Sequence, residues 1–301
     1  MIRVGTRGSA LALAQARWVT ARLNAAELVE ITTSGDRGER IADRSRWTSE
    51  LERALVEGRI DIAVHSAKDV PGALAPGTTI LAAPTREDPR DVICGALSLA
   101  ALPVHARVGT SSLRRAAQLR ALRGDLEIVA LRGNVDTRLR RLADGRLDGQ
   151  VDAIILAAAG LKRLGREAVI GGYLDELVPA PGQGVLLIQA RQDDDLTRPL
   201  QVTIGNGSAL QLIAERGLAR ALDATCQTPI GALADELHAD GTPLPDGQVR
   251  LRGWVGLPDG SEWIAEEMVG EPAQVASAMA ASMAAMGARE LLRRAEEMRR
   301  P

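Results

Sequence analysis

The sequence has no phenylalanine, one tyrosine and four tryptophans among 301 residues, which leaves almost nothing on which nucleic-acid bases could stack. It also lacks an excess of either charge. Thirty-seven basic against 39 acidic side chains give a formal net charge of -2, so no overall field draws the chain to nucleic acid or to an anionic membrane. Any basic patch is local, and a nucleic-acid-binding regulator is disfavoured. No apolar run is long enough to span a bilayer, and the N-terminus enters the run IRVGT without the parts of a signal peptide. The two cysteines, Cys94 and Cys226, lie far apart, and the three histidines are scattered. Neither a disulfide framework nor a zinc motif results; no metal and a reducing, cytoplasmic setting are expected. Lysine is nearly missing as well, with Lys68 and Lys162 against 35 arginines, a bias of the whole composition. Where arginine is the default, a lysine inside a motif marks a place for a compact point charge, and Lys68 lies in one.

What is present is ample apolar residue, 46%, enough for two or three compact domains. Apolar runs alternate with amphipathic ones: IRVGT, a helix from Ser9, VEITT, a helix with the capping box Ser49 to Glu52, then IDIAVH after a C-cap at Gly58. The grammar repeats as RVGT, a helix ending near Gly124, LEIVAL, a helix from about Asn134 and VDAIILA, so two parallel-dominated α/β lobes are expected. VGTRGS echoes VGTSSL, and GRIDIAVHSAKD echoes GQVDAIILAAAG. The polar or Pro/Gly-rich stretches 83–91 and 178–184 read as hinge-like crossings between lobes, after which VLLIQAR returns to the first lobe as a buried strand. The expected domains are 1–84 with 185–204, then 90–180, then an α+β unit over 206–301. That last unit has a long helix, the turn CQTPIG, two strands around LPDG and an alanine-rich helix in which Met279, Met283 and Met286 fill core.

Two turn-then-helix segments, GTSSLRR and RGNVDTRLRR, bring hydroxyls, unpaired helix N–H groups and Arg114, Arg115, Arg132 and Arg138 together. That combination suits a small molecule with many carboxylates. Arg7 and Ser9 open the first helix in the matching place of the other lobe. HSAKD, residues 65–69, follows a buried strand directly and so sits at the carboxyl end of a sheet, where open α/β folds bind ligands. Its lone carboxylate, Asp69, is the candidate catalyst for stabilising a cation or moving a proton. His65 is as readily a core histidine. Cys94 falls in an apolar strand, whereas Cys226, in a proline-containing turn, is either inert or a covalent tether. On these residues alone a non-enzymatic anion-binding protein with two hinged lobes stays open beside an enzyme.

TRGSALALAQ, HSAKDVP, REDPRD, VGTSSLRR, LRGNVDTR, DAIILAAAGLKRLG, PAPGQG and CQTPIG, in that order through most of the chain, closely resemble the porphobilinogen deaminase (hydroxymethylbilane synthase) family. The resemblance implies two hinged periplasmic-binding-protein-like lobes and a smaller C-terminal α+β domain. It implies a transferase of tetrapyrrole and haem synthesis, a monomer in the cytoplasm, that deaminates four porphobilinogens and joins them head to tail into hydroxymethylbilane, releasing ammonia. The implied cofactor is a dipyrromethane attached by a thioether to Cys226. By similarity, Lys68, Thr110, Ser112, Arg114, Arg115 and Arg138 hold that cofactor. Arg7, Ser9, Gln15, Arg132 and Arg163 face substrate, with Gln183 near the hinge, and Asp69 stabilises the azafulvenium left by ammonia and then assists deprotonation. One departure is the segment RIADRSRWTSELE, shorter than the family's Gly/Lys-rich lid stretch, where Trp47 stands for its phenylalanine and Arg44 or Arg46 supplies charge. GRLDGQVD is longer than usual and is expected to be a surface loop.

Overall fold

The computed structural model describes residues 1–33, 48–144, 151–192, 197–225 and 228–298. The expectations for Cys226, for Arg44, Arg46 and Trp47, and for most of GRLDGQVD lie outside them.

The first lobe runs β1 (Ile2–Thr6), α1 (Ala10–Thr20), β2 (Ala26–Glu30), α2 (Ser49–Val56), β3 (Ile62–Ser66), a single 3-10 turn Ala67–Asp69, and β4 (Thr78–Ala82). Residues 83–90 then cross to the second lobe: β5 (Asp91–Cys94), β6 (Arg107–Gly109), α3 (Leu113–Leu122), β7 (Glu127–Val129), α4 (Val135–Ala143), β8 (Ala153–Ala157), α5 (Ala158–Arg163) and β9 (Gly172–Leu174). Residues 175–185 cross back to β10 (Leu186–Arg191) and α6 (Thr197–Ile204). A third unit follows, with α7 (Ala209–Ala221), β11 (Ile230–Asp235), β12 (Val249–Gly256), β13 (Trp263–Gly270), α8 (Pro272–Ala285) and α9 (Ala288–Glu297).

The two lobes share one plan. Their sheets are ordered β2-β1-β3-β10-β4 and β7-β6-β8-β5-β9, each with a βαβαβ half and a half closed by a strand arriving from a crossing. This is the two-lobed architecture with a smaller C-terminal unit that the motifs implied. Each sheet is mixed rather than parallel-dominated. β1 pairs parallel with β2 and β3 and β6 with β7 and β8, whereas β10 and β5 run antiparallel to both their neighbours. The cause is the crossings: β10 and β5 enter from the other lobe, without a crossover helix to turn them parallel.

Local chemistry sets the helix starts that aim at the cleft. Ser9 Oγ accepts from Ala12 N at 3.3 Å, Ser112 Oγ from Arg115 N at 3.4 Å, and Asn134 Oδ1 from Thr137 N at 2.8 Å. The capping box Ser49 to Glu52 does not form. Thr48 is the N-cap, and the Glu52 carboxylate is turned inward, where it accepts from Ala75 N at 3.1 Å and Gln189 Nε2 at 3.0 Å. Two inward-lying donors, the Ala75 amide and the Gln189 side chain, hold that carboxylate in place of the N-cap amide. α2 does close on Gly58, at φ +67°, with Gly58 N on Leu55 O and Arg59 N on Ala54 O.

In the third unit the residues after CQTP form a strand, β11, so the sheet has three antiparallel strands, not two. The alanine-rich C-terminal helix is broken at Gly287, φ +101°, into α8 and α9. Met279 and Met283 are wholly buried in the core between α7, α8 and the sheet, but Met286, at the end of α8, is 51% exposed and fills nothing. Cys94 is buried in β5.

Candidate active site

β3 runs buried through the first lobe and delivers His65 and Ser66 at its carboxyl end, and the 3-10 turn that follows carries Lys68 and Asp69. Across from them stand the end of β1 and the start of α1. Arg7, Ser9, Gln15, His65, Ser66 and Asp69 line one cavity of about 60 Å³. Gln15 is buried and donates from Nε2 to Ser66 Oγ at 2.8 Å, which fixes its amide at the cavity wall. Ser9 already caps α1 through its oxygen, leaving its O–H to donate. His65 is 5% exposed, and burial pushes its imidazole down to about 4. It is neutral at physiological pH and too weak a base to serve as one, which favours the core histidine over a catalyst.

The second lobe is tied to the turn bearing Lys68 through a buried carboxylate that the sequence reading did not single out. Asp91, fully buried at the start of β5, pairs with Arg114 Nη1 at 2.8 Å and Arg115 Nη2 at 2.7 Å. Gln183 Nε2 donates to the same carboxylate at 2.8 Å and to Pro89 O at 2.7 Å, while Gln183 Oε1 accepts from Lys68 Nζ at 3.2 Å. One continuous line thus joins Lys68 in the first lobe to Arg114 and Arg115 in the second through both crossings. Burial raises the Asp91 carboxyl, but the two guanidiniums outweigh that and hold it well below the usual carboxylate range. Arg114 also donates to Val178 O at 2.8 Å, and Arg115 to Ile155 O at 3.0 Å. These two arginines are therefore braced, not open forks. Thr110 and Ser112 are part of the same turn, with Ser112 N donating to Thr110 Oγ1 at 3.2 Å.

The remaining predicted residues divide. Arg138 donates from Nε to Gly133 O at 2.8 Å; burial, then the nearby Arg115, push its guanidinium down to about 10, with Asp69 acting the other way. That mutual influence sets it within reach of both lobes' charges. Arg163 donates from Nη2 to Gly184 O at 2.7 Å and is engaged with the second crossing. Arg132 is exposed in the loop before α4 and is not among the groups lining the cavity. Lys68 is pushed down to about 7, first by burial and then by Arg115. Lys68, Arg114, Arg115 and Arg138 are four cations with Asp69 and Asp91 as the carboxylates that act on them. Burial first and the neighbouring guanidiniums second push Lys68 and Arg138 down, and a polycarboxylate relieves that; the residues present fit such a group.

A second hub escaped the sequence reading. Glu215, wholly buried on α7, accepts from Arg86 Nη2 at 2.5 Å, Gly182 N at 2.6 Å and Ala234 N at 2.8 Å, tying both crossings to the third unit. The available signals were REDPRD and PGQG, polar stretches in positions where only a buried partner would immobilise them.

Residues 2–199 match the family described as porphobilinogen deaminase, dipyromethane cofactor binding domain, and residues 209–286 match the porphobilinogen deaminase C-terminal domain. A porphobilinogen deaminase of Roseiflexus sp. (strain RS-1) is 44% identical, with 96% of this chain and 97% of that one covered. The porphobilinogen deaminase of Thermus thermophilus is 43% identical, with 97% and 98% covered. Among solved structures, the periplasmic VFT2 domain of Bordetella pertussis BvgS shares 13% identity at a TM-score of 0.39, covering 69% of this chain and 86% of that one, too distant to bear weight. Two family matches that together span most of the chain, and relatives of this identity over nearly their full length, establish that the chain belongs to the porphobilinogen deaminase family.

Proposed function

We propose that Asp69 is the carboxylate that serves each round of porphobilinogen addition and that Cys226 anchors the dipyrromethane of this family. The observation that carries the reading is the placement of Asp69. It stands at a strand end in one cavity with Arg7, Ser9 and Gln15, beside the buried Lys68 and close enough to Arg138 of the other lobe to act on its charge. The dipyrromethane, when bound, supplies the primer to which new pyrrole units are added. Lys68 and Arg138, with Arg114 and Arg115 braced behind them on Asp91, would hold its acidic arms, while Thr110 and Ser112 shape the turn beneath. Arg7, Ser9 and Gln15 would orient the acetate and propionate of incoming substrate. Asp69 would keep negative charge beside the cation left when ammonia departs from that substrate, and would receive the proton displaced by carbon-carbon bond formation. His65, neutral throughout, leaves that proton to Asp69. We also place the enzyme in the cytoplasm, since a free thiol must persist at Cys226 until the thioether forms, and take it to act as a monomer.

The intact mass of the purified protein tests the anchor. It should exceed the 31.9 kDa polypeptide by a two-pyrrole adduct that gives colour with a pyrrole-reactive aldehyde, and Cys226→Ala should weigh only the polypeptide. Active protein at the bare mass would overturn the reading.

The depressed Lys68 gives a pH signature in the Cys226→Ala protein, where no cofactor neutralises it. Between about 7 and the ordinary value of 10.5 the unfolded chain binds a proton at this lysine that the folded chain does not. Stability therefore rises with pH across that window, and below about 7 the term is constant. Melting temperatures from pH 6.5 to 10 should climb for this protein relative to its Lys68→Met variant (pH range set by ordinary lysine titration, about 10.4). Two parallel curves would show that Lys68 titrates as an exposed lysine.

A further inference from the structure

Arg216, on α7, is 9% exposed and pairs with no carboxylate among the described residues. Its guanidinium donates instead to three successive carbonyls: from Nη1 to Val70 O at 3.1 Å, and from Nη2 to Pro71 O at 2.6 Å and Gly72 O at 3.0 Å. Burial, then Arg220, push it down to about 10. A charge removed from water and met only by carbonyl dipoles costs more than an apolar side chain of the same size, so adhesion between the third unit and the first lobe does not account for it. What the three carbonyls share is their place, directly after the turn that carries Lys68 and Asp69. Arg220 packs on the same backbone: a Cβ at Gly72 would lie 3.1 Å from Arg220 Cγ. The neighbouring Glu215 fixes α7 to both crossings, so the helix is itself held firmly.

We propose that Arg216 is a positioning residue for the polymerisation, clamping the backbone after Asp69 to the helix that leads in sequence toward Cys226. The clamp keeps the catalytic carboxylate at one spacing from the cofactor-bearing unit through successive additions. This rests on the reading of Asp69 and Cys226 given above.

The test uses the holoenzyme carrying Arg216→Gln, with loading checked by intact mass. We expect the adduct retained, kcat lowered on the order of 10- to 100-fold with KM little changed, as for a catalytic group displaced by about 1 Å. Amide exchange at Val70 and Gly72 should accelerate, and Arg216→Lys, which keeps the charge and reaches fewer carbonyls, should recover part of the rate. In the Asp69→Asn background Arg216→Gln should cost almost nothing more, because the group it positions is gone. A loaded Arg216→Gln enzyme with parental kcat and parental exchange would overturn the proposal, as would losses that multiply in the double variant. If Arg216→Gln does not fold, Arg216→Lys decides by the same kcat and exchange readouts. Full activity of Asp69→Asn alone would instead remove the catalytic reading, an outcome separate from failure of the clamp.

Discussion

Asp69→Asn should lower the rate of hydroxymethylbilane formation on the order of 10³-fold, within the range that loss of a positioned acid-base or charge-stabilising group produces. The substitution is clean. No hydrogen bond or salt bridge ties up Asp69 among the described residues, so asparagine breaks none of these and costs the fold little beyond the charge that favours protonated Lys68 and Arg138. It also keeps the volume and the local turn, removing only the charge and the ability to take a proton. The loss should therefore appear in kcat and kcat/KM together, with KM little altered, because the arginines that hold the acidic arms of substrate remain. Single-turnover measurement on the loaded enzyme checks this, and turnover within about threefold of the parent would remove Asp69 from the mechanism. Neighbouring groups offer no substitute. His65 titrates at about 4, in a buried ring, and Lys68 at about 7 carries the wrong charge to stabilise a cation.

Much of this site was legible in the sequence because its determinants are local. A strand that ends in HSAKD must present its polar residues at the sheet's edge, and a Ser followed by a helical run must cap it; both hold at Asp69, Ser9 and Ser112. The repeated βαβ grammar foretold each lobe's parallel half, with its crossover helices, for the same reason. What could not be read was long-range pairing. Asp91 is 23 residues from Arg114 and sits in a stretch that reads simply as polar, so nothing local says that it neutralises two arginines that otherwise look aimed at a ligand. Glu52 is the same case in reverse: its spacing from Ser49 satisfied a capping rule, but Gln189, 137 residues away, took its carboxylate. Gly287 was passed over because an alanine-rich run reads as one helix until the glycine's left-handed φ of +101° shows the break.

Asp91→Ala should cost about 3–5 kcal/mol, the penalty for removing one partner from a buried ionic cluster and leaving the other charges uncompensated. Two guanidiniums would be left in that position, Arg114 at 5% and Arg115 at 6% exposure, together with a Gln183 amide that keeps only the Pro89 carbonyl as acceptor. Against a total stability of about 5–15 kcal/mol, such a loss leaves the chain partly unfolded at growth temperature. Asp91→Asn keeps an acceptor oxygen but not the charge, and should fall between parent and Asp91→Ala. The parent's own cluster is robust to acid. A carboxyl held below its ordinary range contributes stability that is present above that range and lost only as pH falls through the depressed value, so mild acid leaves the pairing intact. Because the carboxylate also orients Gln183, which in turn receives Lys68, the lesion reaches the cleft as well as the core: the surviving folded Asp91→Asn protein should load less cofactor by intact mass than the parent. Denaturant and thermal melting of the parent, Asp69→Asn and the two Asp91 variants, read beside that mass, separates the lesions in kind, since Asp69→Asn loses rate at near-parental stability and Asp91→Ala loses stability first. Melting of Asp91→Ala within about 1 °C of the parent, less than about 1 kcal/mol in a chain of this size, would show that Arg114 and Arg115 do not depend on it.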